Sequence, residues 1–215
     1  MIASKTLLTR LVLLEKLMEF DMVQITRESL LTLEAYEKAR PQLRAEAIER
    51  KNKRKVFVGD NVMIQFEDEV TLRYQIQEML RAEKTFDEAG IQDELEAYNP
   101  LVPDGANWKA TQMIEFTEVE ERQRKLVELK GLERRTYVEV AGCERVYAIA
   151  DEDMPRENEE KTSAVHFLRF ELTKEMVVAA KRGEPIAVGI DLPAYSFRVD
   201  EVGPETQGML VADLV

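Results

Sequence analysis

The chain has 215 residues, 45% of them hydrophobic and 33% charged, with a formal net charge of −12. That length supports one sizeable domain or at most two small ones, and the composition excludes a fibrous or disordered chain. The negative charge argues against general nucleic-acid binding, because duplex DNA is repelled by the mean field, and a lone cysteine, Cys143, excludes an intrachain disulfide and points to a reducing cytoplasm.

The apolar start, TLLTRLVLLEKLMEF, is interrupted by Arg10 and the Glu15-Lys16 pair, so it is too short for a membrane span, and no small-residue cleavage site follows it. Leu7, Leu11, Leu14 and Met18 at helical spacing make it an amphipathic helix that packs on its own domain or, as the sharper alternative, on a homodimer partner. A second helix is expected from the N-cap Thr26 through Leu30, Leu33 and Tyr36, ended or kinked near Arg40 by Pro41 and resuming through Leu43, Ala47 and Ile48. Its basic tail, Arg50, Lys51, Lys53, Arg54 and Lys55, reads as a solvated C-terminus favoured by the helix dipole, with an anion or nucleic-acid patch as the minority reading. Residues 1–55 hold 12 Lys+Arg against 8 Asp+Glu and the remainder 18 against 34, so the chain is electrically two-sided.

VFVGDNVMIQF is a hairpin turning at Gly59-Asp60-Asn61. A long helix is expected over 68–89, with Leu72, Ile76, Met79, Leu80 and Phe86 as its stripe and Gly90 as its stop, and IQDELEAY as a further short helix. YNPLVPDGANW breaks all periodicity and reads as an ordered loop; TQMIEF then forms a strand, and Thr117-Glu118-Val119-Glu120 a capping box opening a helix that ends near Gly131. RTYVEV and RVYAIA make a second hairpin around Ala-Gly-Cys-Glu, SAVHFLRFEL a long strand, Thr173 the cap of a helix stopping at Gly183, and PIAVGI and AYSFRV two more strands. The expected class is α+β: N-terminal helices packed on a mostly antiparallel sheet from the C-terminal half, with residues 1–24 as an amphipathic extension and 25–215 as one domain.

One histidine and one cysteine cannot assemble zinc, di-iron or iron-sulfur sites within one chain, so no cofactor is expected. No Gly-x-Gly-x-x-Gly, Walker or nucleophile-elbow motif occurs, and Glu144 beside Cys143 disfavours a thiolate. The acidic runs Glu67-Asp68-Glu69, Asp151-Glu152-Asp153 and Glu157 to Glu160 offer oxygen ligands for a hard cation but read first as solvated surface, so no metal site is assigned. On the long helix, Glu78 and Arg81 pair three apart with Tyr74 one turn earlier, an outward salt-bridged face unless it turns inward beneath the Asn-Pro loop.

The blocks TRESLLTLEAYEKARPQLR, LRYQIQEMLRAEKTF, ELEAYNPLVPDGANWKATQMIEF and ADEDMPRENEEKTSAVHFLRFEL resemble a bacterial domain-of-unknown-function family, often encoded beside rubrerythrin-like and heterodisulfide-reductase-like iron-sulfur proteins. The resemblance runs from about Ile25 to the C-terminal region; the first two dozen residues lie outside it and read as a lineage-specific extension or an upstream start, with Met18 and Met22 as alternative beginnings. It carries no catalytic residue set. Its neighbourhood implies a link to peroxide defence or redox housekeeping, and hence a non-enzymatic accessory protein that docks a rubrerythrin-like or iron-sulfur partner.

The alternative is a small-molecule-binding or hydrolytic domain with a polar pocket between the long helix and the sheet, lined by Tyr74, Glu78, Arg81, Asn99, Asp104, Asn107 and His166. Arg169 is a weaker candidate, because strand alternation turns it and Glu171 away from His166. His166 itself, in the apolar register Ala164, His166, Leu168, Phe170, is read as a structural residue satisfied by one hydrogen bond; any function must come as a lone acid/base or hydrogen-bond donor facing a polar pocket, with Glu78 as its expected partner.

Overall fold

The computed structural model describes residues 24–152, 154, 156 and 160–215. The expected helix at the start of the chain, and the homodimer contact built on it, lie outside the described residues.

The first described helix, α1 (Leu33–Lys53), begins six residues later than the Thr26 cap implied. Thr26 accepts no capping hydrogen bond and is followed only by a 3-10 turn, Arg27–Ser29; Thr32 is the working cap, its hydroxyl accepting from Ala35 N at 3.3 Å. Pro41 neither ends nor interrupts α1. Both Pro41 and Glu37, whose carbonyl loses its helical donor, are exposed, so water takes the missing bond, while buried Tyr36 and Ala47 hold the helix on either side.

Strands β1 (Lys55–Phe57) and β2 (Val62–Phe66) form the expected hairpin, closed by Val58 N donating to Val62 O at 2.9 Å. Gly59 takes φ 70°, a left-handed conformation, and a Cβ there would lie 2.6 Å from Tyr195 Oη. β3 (Asn107–Ile114) starts earlier than expected, taking in the end of the Asn-Pro loop.

Helix α2 (Glu69–Glu83) opens with a reciprocal box: Asp68 Oδ1 accepts from Thr71 N, and Thr71 Oγ1 accepts from Asp68 N. It stops short of the expected boundary at Lys84, a left-handed residue at φ 57°, and α3 (Glu88–Tyr98) begins anew under the cap Asp87, with Gly90 inside it. Phe86 is therefore 74% exposed rather than part of the stripe, and Ile91 and Leu95 cover Leu72, Ile76 and Leu80 in its place, forming a small core with Ile25, Leu30 and Val102. Downstream, α4 (Val119–Glu128) is capped by Glu118 without a side-chain bond, so the expected box does not form.

The remaining elements are β4 (Thr136–Val140), β5 (Val146–Tyr147), β6 (Ile149–Ala150), β7 (Val165–Glu171), α5 (Lys174–Lys181), β8 (Ile186–Leu192), β9 (Tyr195–Val199) and α6 (Pro204–Ala212). The fold is α+β, with strands in two antiparallel sheets ordered β1-β2-β3-β7-β6 and β5-β4-β8-β9. RVYAIA divides between them: β5 pairs with β4, β6 with β7, and buried Ala148 marks the crossing. The sheets share one core, in which Phe66, Trp108, Leu168 and Phe170 meet Val138, Val140, Val188 and Ile190. Tyr195 Oη donates to Val58 O at 2.8 Å and accepts from Asn61 N at 3.1 Å, tying the first sheet's turn to the second sheet.

Register decides which residues reach the core. β3 pairs with β7 so that Trp108 faces Phe170, Ala110 faces Leu168 and Gln112 faces His166, all pointing inward. Lys109, Thr111, Phe167 and Arg169 therefore stand on the opposite face, toward α2 and α3. The C-terminal helix α6 was not expected from the sequence; Trp108 Nε1 donates to Leu210 O at 2.9 Å and holds it against the core.

Arg54 corrects the reading of the basic tail. Its side chain is fully buried, donating to Phe66 O and Glu67 O at 3.1 and 2.9 Å and pairing with Asp213 and with Asp68 at 3.2 Å. One guanidinium thus joins the end of α1, the strand β2, the start of α2 and the end of α6.

Candidate ligand-binding groove

His166 lies wholly in the core, on a strand whose inward register places it there. Its Nδ1 is 2.6 Å from Asp151 Oδ2; Nε2 is 2.8 Å from Thr162 Oγ1, 3.1 Å from Ser163 O and 3.9 Å from Glu133 Oε2. Asp151 adopts the left-handed region at φ 53°, which an aspartate tolerates, and its other oxygen accepts from Phe167 N at 3.1 Å. The order Asp151, His166, Thr162 has the hydrogen-bond sequence of a hydrolytic triad, but Thr162 is 2% exposed and neither it nor His166 lines any of the cavities described below. The network fixes a strand within the core rather than presenting a nucleophile.

The expected partnership with Glu78 does not form. Glu78, on α2, accepts from Tyr36 Oη at 2.7 Å and from Arg40 Nε and Nη2 at 2.7 and 2.9 Å, with Arg81 3.5 Å away. The Arg40 guanidinium, seconded by the Tyr36 hydroxyl, holds this carboxyl at about 2, well below its usual range, while burial and Glu78 push the Tyr36 phenol up. The cluster binds α1 to α2.

The other expected residues disperse. Tyr74 lines a cleft of about 250 Å³ between α1 and α2 with Tyr36, Arg73 and Gln77. Asn99 clamps the chain entry, accepting from Ile25 N at 2.8 Å and donating to Ile25 O at 3.0 Å. Asp104 accepts from Ala106 N and Asn107 Nδ2, so these two residues build the loop before β3. The set Tyr74, Glu78, Arg81, Asn99, Asp104, Asn107 and His166 is therefore not one site.

A groove does run between α2, α3 and the sheet, lined by other residues. It holds two neighbouring cavities, here called lobes, whose linings share Leu101 and Phe167. The larger, about 440 Å³, is bounded by Lys109, Arg169, Glu152, Glu96 and Ile149; the smaller, about 210 Å³, by Glu67, Gln75, Tyr98, Thr111, Met113 and Leu72. Apolar walls with a few convergent polar groups are the usual make-up of small-molecule sites.

Glu67 sits 6% exposed at the smaller lobe, accepting from Thr71 Oγ1 at 2.7 Å and Thr111 Oγ1 at 2.8 Å. Its run, read as solvated surface, is instead buried at both Glu67 and Asp68, because the chain there leaves a central strand to enter a covered helix. Tyr98, facing the same lobe, has its phenol raised by burial and next by Glu94.

At the larger lobe, Arg169 is held by Glu152, with Nε and Nη2 each at 2.8 Å, and by Glu171. Lys109, directly across the strand pair, donates to Pro100 O at 2.9 Å. Burial and then the Arg169 guanidinium pull its amine below the ordinary lysine value. The signal that could have found these residues was the polar alternation of Lys109 and Thr111 against Phe167 and Arg169. Among the described residues, no group of three or more His, Cys, Asp or Glu is arranged to hold a metal ion, and no helix is long and apolar enough to cross a membrane.

These features define an α+β domain with a covered groove on one face of its larger sheet. The family described as "Protein of unknown function (DUF3501)" matches residues 24–214, and the chain belongs to it. A crystal structure of a novel protein of unknown function from Burkholderia pseudomallei is similar, with 50% identity and a TM-score of 0.86, over 90% of this chain and 100% of that one. No curated protein matches.

Proposed function

We propose that the chain binds a small amphipathic molecule in the groove between α2, α3 and the first sheet. The observation that carries this reading is a pair of neighbouring cavities that share Leu101 and Phe167 in their walls, with polar groups lining each. An apolar body packs against those two side chains, and its polar substituents meet Glu67 in the smaller lobe or Lys109 in the larger.

The test is a thermal-shift screen of small aromatic and aliphatic amines, acids and carbonyl compounds against the wild type and Leu101→Trp, whose larger ring crowds both lobes. Binding raises the melting temperature of the wild type by mass action and leaves the variant unmoved. A library that shifts neither protein, or both equally, rejects the groove as the site.

The accessory role beside bacterial rubrerythrin-like or iron-sulfur proteins rests on the family resemblance and the two-sided charge of the chain. Native co-purification tests it, and recovery of no redox protein counts against it.

A further inference from the structure

We infer that Lys109 is a carbonyl-capture site, whose ε-amine condenses with an aldehyde or ketone held in the groove to form an imine. The inference rests on the groove reading above and adds to it the class of ligand and the atom that bonds to it.

Three features single out Lys109. Its position in the β3–β7 register sends its side chain into the larger lobe, which Leu101 and Phe167 also line. Among the described residues it makes no ion pair; its amine is held by one neutral acceptor, Pro100 O at 2.9 Å. Finally, Arg169, its cross-strand neighbour, is a fixed cation that engages both Glu152 and Glu171.

By contrast, Lys38 reaches Glu34, Lys53 reaches Glu49 and Lys125 reaches Glu128. An amine desolvated beside a second cation and an apolar wall keeps more of its unprotonated form at neutral pH, and that form is the nucleophile. Glu152, Asp104 and Glu171 act in the opposite sense on Lys109, but less than burial and Arg169 together.

The step balances without an outside reagent. The amine lone pair attacks the carbonyl carbon, and the proton lost from nitrogen reaches the oxygen, giving a carbinolamine. The hydroxyl then takes a proton from solvent and leaves as water as the carbon–oxygen bond breaks, the nitrogen lone pair closes the carbon–nitrogen double bond as an iminium, and loss of the remaining N–H proton to solvent returns the proton and gives the imine. Nothing is oxidised or reduced. A compact aromatic aldehyde satisfies both requirements, a ring for the apolar wall of Leu101 and Phe167 and a carbonyl for the amine.

The experiment treats the full chain with benzaldehyde and sodium cyanoborohydride at pH 7, which delivers hydride to the imine carbon and leaves a stable benzylamine located by peptide mass spectrometry. Lys109 is expected to be labelled several-fold faster than exposed Lys174 and Lys181, and to keep that advantage as the pH is lowered. Lys109→Met removes that label alone, and Leu101→Trp reduces labelling at Lys109 to the surface rate. Labelling of Lys109 at the surface rate in the wild type overturns the imine inference, and leaves the groove standing if the thermal-shift screen finds ligands. Fast labelling that persists in Leu101→Trp overturns capture within the groove.

Discussion

Arg54→Met removes a fully buried guanidinium while keeping most of its aliphatic volume. Asp68 retains Arg50, but Asp213, whose side chain is 10% exposed, loses its guanidinium partner, and Phe66 O and Glu67 O lose donors. Breaking a buried pair from one side costs about 3–5 kcal/mol. For a domain of this size, each kcal/mol lowers the melting temperature by about 2–4 °C, so the expected fall is about 6–20 °C.

Asp213 supplies an internal check. Burial already raises its carboxyl above the ordinary value despite Arg54. Without Arg54 the rise is larger, so the folded variant holds a proton that the unfolded chain releases, and its deficit shrinks as the pH falls from 7 toward 5. Arg54→Met/Asp213→Asn removes the stranded charge and recovers about 1–3 kcal/mol. Urea unfolding followed by the emission of Trp108, the one tryptophan and fully buried, measures all three proteins. A single variant that loses less than about 1 kcal/mol at pH 7, or whose deficit grows on acidification, refutes the reasoning. Because Arg54 also donates to Glu67 O, the single variant should weaken any ligand that uses the Glu67 lobe.

Two further expectations concern buried polar groups. His166→Leu takes the imidazole partner from Asp151 Oδ2 and from buried Thr162 Oγ1 and should cost about 1–3 kcal/mol, with His166→Gln recovering part of it by hydrogen bonding; equal urea midpoints for Leu and wild type would contradict this. Glu78, held at about 2 against an ordinary 4.5, contributes stability that is present above pH 4.5 and lost as the pH falls toward 2. Glu78→Gln should therefore be less stable than wild type at pH 7 and converge with it near pH 2; a constant difference across that range removes the Arg40 pairing as the cause.

The sequence by itself determined the elements that short-range chemistry controls. The Gly59-Asp60-Asn61 turn, the Thr173 cap and the alternation of β7 follow from backbone preference and a period of two, and each stands where those rules put it. The same alternation separated His166 from Arg169, which the structure places on opposite faces of one strand.

Only the tertiary structure decided whether a polar residue is solvated or enclosed. Arg54 lies in a basic run and Glu67 in an acidic one, patterns that belong to surfaces, yet both are buried because α2 and α6 close over the end of β2. The helix boundary at Lys84 was likewise invisible, since Ile91 and Leu95 cover the small core in place of Phe86 only once α3 folds back. The groove is the clearest case. Glu67, Lys109, Tyr98 and Phe167 come from four separate segments of the chain, and their nearness depends on strand order and helix docking, which no local periodicity encodes.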